Sequence, residues 1–370
     1  LAKQGVLVVP DNSDLPLVRS VLHPTDFSKE SRKAFAHALA IALIRKTKLT
    51  LLHAGGNKSK SWESFPSVRG TLEQWGVLEP GSSRSAVFDQ LSVRVKKVVV
   101  REKNPVAACH GYMMDHPADL IVLATRGRGG PARWLKKSVA EEVARRSDAI
   151  SLFVPSGGRG FVSPASGRLT LGRILVPITH TPNPQPAIEF ATRVARVVGG
   201  GVQVTLLHVG APEDVPAVTL PDDAGIEWTT VVLSGDAAAQ IVAEADRISA
   251  NLIVMTTDGR DVLIDALRGS HTERVIRRGV CPVFALPVTW TDEVLSGRSI
   301  DDVVFEQEQR DAEALKTAFR GAARDLHPDL ASEEHREHHT DLMSKANEAY
   351  RKKDLAVLEE LRKRSRKTPE

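Results

Sequence analysis

Val21-Leu-His-Pro-Thr-Asp-Phe-Ser28, followed by Thr50-Leu-Leu-His53 and Asp119-Leu-Ile-Val122, is a pattern that the chain writes twice. The second writing is Ile174-Leu-Val-Pro-Ile178, Thr205-Leu-Leu-His208 and Asn251-Leu-Ile-Val254. From Asp119 onward the copies run at a constant offset of 132, through Gly127 and Gly259, then Ser138 and Ser270, to Phe153-Val-Pro155 and Ala285-Leu-Pro287. A repeat of this length fixes the architecture before any residue is given a task.

Within each copy, short apolar runs alternate with segments of helical period. The runs at 18–22, 49–53, 98–100, 120–124 and 150–154 read as strands, and residues 31–45 read as the helix after the first. The second copy answers with 173–177, 186–198 and 202–209. Strand, helix, strand at these lengths specifies parallel βαβ units with right-handed crossovers. Central strands apolar on both faces match a sheet covered by helices on each side. The expected fold class is therefore α/β, with two doubly wound parallel-sheet domains in tandem, followed by a small all-α helical hairpin.

Bulk properties narrow the function classes. The 370 residues are 42% hydrophobic, and the formal charge is only +4. That charge is too slight and too dispersed for a nucleic-acid surface. The longest nearly apolar run, 34–44, is broken by His37 and falls well short of the ~20 residues that span a bilayer. The first residues lack the pattern of a secretory leader. Two cysteines, Cys109 in an expected helix and Cys281 in an expected strand, form no metal spacing and read as buried reduced thiols of a cytoplasmic protein.

Doubly wound sheets bind ligands beyond the carboxyl ends of their strands, where the strand order reverses. In copy one this places Asp26 after the first strand and Thr125-Arg-Gly-Arg-Gly-Gly130 after the fourth, leading to Ser138 at a helix start. In copy two it places Thr179, then Thr257-Asp-Gly-Arg260, then Gly269-Ser270. Glycines let backbone amides approach phosphate oxygens, and a helix start offers unpaired N–H groups to an anion. The same glycines also suit plain turns, and the same serines plain helix caps.

Both copies resemble the universal stress protein family. The resemblance rests on Pro-x-Asp-Phe-Ser at 24–28, Asp-Leu-Ile-Val at 119–122, Gly-Arg at 127–128, Ser-Val-Ala-Glu-Glu-Val at 138–143 and Cys-Pro-Val at 281–283. It implies flavodoxin-like five-stranded domains paired through their last strands and, in one subclass, ATP held by Gly-x2-Gly-x9-Gly-Ser/Thr with an Asp that reads adenine. Against that motif copy one shows Ala124, Gly127, Lys137 and Ser138 and keeps Asp26, with Arg128 among added cations. Copy two shows Thr256, Gly259, Gly269 and Ser270 but has Thr179 in place of the aspartate. Asp258, Asp261 and Asp265 there disfavour phosphate. The expected ligand is adenine nucleotide, ATP, and each copy keeps what the other lacks.

No nucleophile, base and orienting group assemble from these motifs, so the expectation is a stress-response regulatory binding module and not an enzyme, with slow ATP hydrolysis left open. His53 and His208 read as structural. Residues 57–94, with Trp62 and Trp75, are either a lid over the first site or a long surface excursion.

Residues 1–17 are expected to include a remnant strand of a preceding repeat, since the first ten residues, Leu1 to Pro10, resemble the ends of both copies. The domains are expected at 18–158 and 170–290, with a linker at 291–305 and a helical segment at 306–365. That segment resembles a J domain through His327-Pro328-Asp329 and Asn347-Glu-Ala-Tyr350. The resemblance implies a DnaK-class chaperone as partner, contacted by the His327-Pro328-Asp329 loop; the usual first helix with Tyr-x-x-Leu-Gly is not evident. His335, His338 and His339 at helical spacing lack a fourth ligand and read as a solvated face, so no metal is expected. Self-association through the final strands, or pairing of the two domains inside one chain, is the remaining partner expectation.

Overall fold

The computed structural model describes residues 18–55, 63–125, 139–147, 149–199, 201–223, 225–257, 271–287, 319, 322–323 and 336–351. It divides into two compact units, Leu1–Gly297 and Arg298–Glu370. In the first unit, copy one supplies β1 (Ser20–Pro24), α1 (Ser31–Arg45), β2 (Lys48–Ala54), α2 (Val68–Gln74), α3 (Ala86–Asp89), β3 (Arg94–Val100), α4 (Pro105–Asp115), β4 (Leu120–Thr125), α5 (Val139–Arg145) and β5 (Ile150–Pro155). Copy two supplies β6 (Arg173–Ile178), α6 (Gln185–Val198), β7 (Val202–Val209), β8 (Ile226–Leu233), α7 (Ala237–Arg247), β9 (Leu252–Thr257), α8 (His271–Arg278) and β10 (Val283–Pro287).

The ten strands form one sheet in the order β3-β2-β1-β4-β5-β10-β9-β6-β7-β8. Within each copy every pairing is parallel, and the order reverses between β1 and β4 and again between β6 and β9. The copies join through β5 and β10, which run antiparallel with Phe284 opposite Leu152. The expected pairing of final strands is thus met inside one chain. Cys281 differs from expectation: it is buried in the turn before β10, not within the strand.

Two residues at the offset of 132 hold the strand starts in the same way. Asp119 Oδ2 accepts the backbone N–H of Arg19 at 2.7 Å and of Ser20 at 2.8 Å. Asn251 Oδ1 accepts those of Gly172 at 3.1 Å and Arg173 at 3.2 Å. Each clamps the first strand of its copy to the fourth.

Alternate strand residues feed two faces. One face, with Leu22, Leu52, Ile121, Leu123, Leu175, Ile253 and Val283, forms a continuous core with α4, α5, α7 and α8 across both copies. The other carries α1, which is buried nearly all round. The long, nearly apolar run of α1 has this cause: the sheet lies beneath it, and residues 158–162, between the copies, pass over it. Lys33 Nζ donates to the carbonyls of Gly158 at 2.7 Å and Arg159 at 3.0 Å.

The excursion at 63–94 forms α2 and α3 and leans on the same linker. Trp75 Nε1 donates to Pro164 O at 3.0 Å, and Gln74 Nε2 to Ala165 O at 3.1 Å. This is a surface excursion braced on the linker, with Phe65 reaching back toward the end of β1.

In the second unit, α9 (Arg336–Arg351) packs Leu342, Ala346 and Ala349 against Ala322, and Phe319 meets Tyr350 at 4.4 Å between ring centroids. The expected linker at 291–305, the remnant at 1–17, and His327, Pro328 and Asp329 lie outside the described residues, as do the side chains of His335, His338 and His339.

Candidate functional site

A cleft of about 900 Å3 opens at the carboxyl ends of β1, β2, β4 and β5 in copy one. Its walls are the turn after β1, the first turn of α1, the start of α4 with Lys103 and Pro105, the inner side of α5, and Ser156-Gly157. This is the point where strand order reverses, so the fold itself leaves the crevice.

The turn after β1 is locked by its own polar groups. Phe27 adopts φ +64°, a left-handed conformation uncommon for a bulky residue. Its N–H donates to Thr25 Oγ1 at 3.1 Å, and Ser28 N–H donates to Asp26 Oδ1 at 3.0 Å. Ser31 Oγ donates to Ser28 O at 2.9 Å, so the proton in the Thr25–Ser31 hydroxyl contact at 3.2 Å comes from Thr25. The result is a fixed loop that leaves the Asp26 side chain exposed on the cleft rim.

His53, at the end of β2, is held by the same loop. Its Nδ1 lies 2.8 Å from Thr25 O, which makes Nδ1 the protonated nitrogen, and its ring stacks on Phe27 at 4.0 Å. The architectural reading of His53 stands, although the residue also lines the cleft. His208 holds the matching place in copy two, with Nδ1 3.3 Å from Ile178 O.

Ala124 and Thr125 finish β4 at the cleft floor. Thr125 O accepts Ser156 N–H at 2.7 Å, while Thr125 Oγ1 is buried without a partner. The sequence placed Thr125 among the candidates after the fourth strand, but gave Cys109 only as a buried thiol and not as part of a cleft wall. Cys109 sits on α4 in the cleft wall, with its thiol pushed up to about 12 by burial, which makes it inert as a nucleophile. Lys29 and Lys103 bring positive charge to the rim beside Glu30.

The structure thus gathers Asp26 and Ala124 at one cleft. Gly127, Arg128, Lys137 and Ser138 follow Thr125 in the chain and lie outside the described residues, as do Gly259, Gly269 and Ser270.

Copy two differs where its α7 and α8 begin. Asp236 caps α7 by accepting Ala239 N–H at 2.9 Å, and Arg274 from α8 reaches it at 2.6 Å while also meeting His271 Nδ1 at 3.0 Å. Hydrogen bonding to Arg274 holds the Asp236 carboxyl below its usual range. The counterpart cap in copy one is the neutral Asn104, which accepts Val106 N–H at 2.9 Å. Among the described residues no cluster of three or more His, Cys, Asp or Glu side chains could hold a metal ion.

A repeated doubly wound domain with a crevice at its switch point defines a class of α/β binding proteins. The sequence profile of the universal stress protein family matches residues 18–155 and 217–287, and the chain belongs to that family. A universal stress protein of Mycobacterium tuberculosis is 25% identical over 291 residues, covering 70% of this chain and 93% of the relative. One from Methanocaldococcus jannaschii is 39% identical over 67 residues, covering 18% of this chain and 39% of that protein. Among solved structures, a universal stress protein from Archaeoglobus fulgidus superposes with a TM-score of 0.50 at 19% identity, covering 73% of this chain and 99% of that one. That likeness is one of fold.

Proposed function

We propose that this stress-response family member is a regulatory binding module that takes adenine nucleotide, ATP, in the cleft of copy one. The observation that carries the reading is the cleft itself: about 900 Å3 at the switch point, with exposed Asp26 presented by a locked turn. A carboxylate there is suited to accept hydrogen bonds from the exocyclic amine of adenine. Gly127, Arg128, Lys137 and Ser138, next in sequence after β4, would receive the phosphates. Copy two is the weaker site, because Thr179 replaces the carboxylate and Asp236 with Arg274 ties α7 to α8. Its Gly259, Gly269 and Ser270 would then serve the turn and helix start.

The test is nucleotide analysis of the purified full chain, followed by calorimetric titration with ATP. The expected outcome is one nucleotide per chain and at least a tenfold weaker affinity in Asp26→Ala. No binding at millimolar ATP would remove the reading. Turnover of ATP to ADP at a steady rate would recast the module as an enzyme.

A second reading concerns the tail. Packing of Phe319 and Ala322 on Leu342, Ala346, Ala349 and Tyr350 supports a helical hairpin, and His327-Pro328-Asp329 falls between its arms. In this reading the chain acts as co-chaperone of a DnaK-class partner. Its ATPase would rise with the wild-type chain and not with His327→Gln.

A further inference from the structure

His37 lies wholly buried in the middle of α1, and its ring joins two parts of the molecule. Nδ1 is 2.7 Å from Lys33 O, the carbonyl one turn back, and so carries the proton. Nε2 is then an acceptor, and it takes two backbone N–H groups from the linker between the copies, Phe161 at 3.2 Å and Val162 at 3.3 Å. The Phe161 ring stands edge-on to the imidazole at 4.5 Å. The linker passes so close that a Cβ on Gly160 would lie 3.0 Å from His37 Cε1 and 2.7 Å from Lys33 Cε.

The same few linker residues reach both the cleft and copy two. Ser156 and Gly157 form part of the cleft wall. Gly158 and Arg159 give their carbonyls to Lys33, and Arg159 N–H donates to Val280 O at 2.8 Å. The Arg159 guanidinium binds Ala250 O, Ala245 O and Asp246 at 3.0–3.1 Å. One clasp therefore ties α1, the cleft wall and copy two together.

We propose that this clasp is a proton-operated switch: protonation of His37 Nε2 releases the Phe161 and Val162 amides, loosens the linker, and slackens the Ser156-Gly157 wall of the nucleotide cleft. A protonated Nε2 is a donor and meets two donors, so both hydrogen bonds are lost at once. The charged and titratable groups around the ring offer it no counter-charge. Lys33 on α1 is a cation, and Arg159 on the linker is a cation turned to Asp246 of α7. Cys281, in the turn before β10, is a buried neutral thiol that senses both. Burial holds the imidazole down to about 4, against the hydrogen bond to the Lys33 carbonyl, which pulls the other way, so an open clasp, with His37 in water, binds the proton more tightly than a closed one. Linkage then sets the direction: opening becomes about tenfold easier for each pH unit between about 6.5 and 4, and is independent of pH above that window.

Coupling to the cleft rests on the nucleotide reading above; the clasp does not. Hydrogen exchange of the full chain, corrected for the intrinsic pH dependence, would follow the Phe161 and Val162 amides from pH 7.5 to 4.5. The Ile253 amide, bonded to Pro282 O at 2.9 Å, serves as reference. Opening at 161 and 162 is expected to rise about tenfold per unit below 6.5, the slope of one proton, while Ile253, which exchanges through unfolding that exposes His23 and His37 together, rises more steeply from a lower level. His37→Gln, neutral at every pH, is expected to flatten the profile at 161 and 162. Equal slopes in variant and wild type, or protection at 161 and 162 that never changes, would overturn the switch. If the variant does not fold, the wild-type contrast between 161–162 and Ile253 decides alone. ATP affinity falling along the same profile supports the coupling, and affinity unchanged while exchange rises overturns it. ATP that binds at no pH removes the nucleotide reading and leaves the exchange result to judge the clasp.

Discussion

Asp119 shows how a motif residue in a ligand-binding fold can have a purely architectural task. Its carboxylate closes the starts of β1 and β4 by accepting Arg19 and Ser20 N–H, so Asp119→Ala leaves two part-buried donors without it and should cost about 1 kcal/mol. Asp119→Asn, which keeps an acceptor as Asn251 does, should recover most of that in urea denaturation. Gly158 is demanding in another way: φ is +82° and an added Cβ would stand 2.4 Å from Val280 O. Gly158→Ala is expected to lose at least about 1–3 kcal/mol. Gly172→Ala, where nothing lies within 4 Å, should stay within about 0.5 kcal/mol of wild type in the same assay. Asp26 was legible as a site residue because strand order and motif position both pointed to it. The tasks of His37 and Thr125 were not, since each depends on a linker whose path no local pattern reveals.

Among the elements, α4 is the clearest case of local chemistry setting a boundary. Asn104 accepts two N–H groups of the first turn and Pro105 follows it, which together start the helix at the cleft edge. Asn104→Ala should cost about 1 kcal/mol and lower the thermal midpoint by a few degrees. Of the ten strands β8 was not foreseen, because it is an edge strand with exposed Glu227, Thr229 and Thr230. The other nine were readable from their apolar runs or from the repeated motifs and fall within or beside the expected segments. Their ends ran longer than expected, β3 most of all, because Arg94, Lys96 and Lys97 carry charge on an edge strand that still pairs with β2 along its length. Each of those cations is otherwise occupied by a ring, Arg94 over Phe88, Lys96 over Tyr112 and Lys97 over Phe65. An alternation rule that counts only apolar residues cannot see such a strand.

For the whole molecule, the seam between β5 and β10 makes one sheet of two copies, and the core on one face runs through both. Unfolding of the ten-stranded unit should be a single transition, with calorimetric and van't Hoff enthalpies in agreement. Its pH dependence follows from two buried neutral histidines. His23 and His37 are each held down to about 4, in both cases mainly by burial. Groups with lowered histidine pKa stabilise fully above the unfolded value near 6.5, and that contribution drains away as pH falls toward 4. The urea midpoint should therefore be flat from pH 8 to 7 and drop below 6.5, by on the order of 3 kcal/mol per histidine if neither site relaxes. The repeat announced the fold class, and the family resemblance the pairing of final strands, without deciding between one chain and two. It could not announce the division of labour, because copies of equal pattern differ at single positions, Asp26 against Thr179, that periodicity treats alike.

The antiparallel seam has one more consequence. Because β5 and β10 run in opposite senses while each copy is internally parallel, the carboxyl ends of the two strand sets face opposite rims of the sheet. Asp26 on one rim and Thr257, at the end of β9, on the other therefore face away from each other. The strand ends of one copy cannot complete a crevice at those of the other within a single chain, and a partner that senses both copies at once has to reach around the sheet to do it.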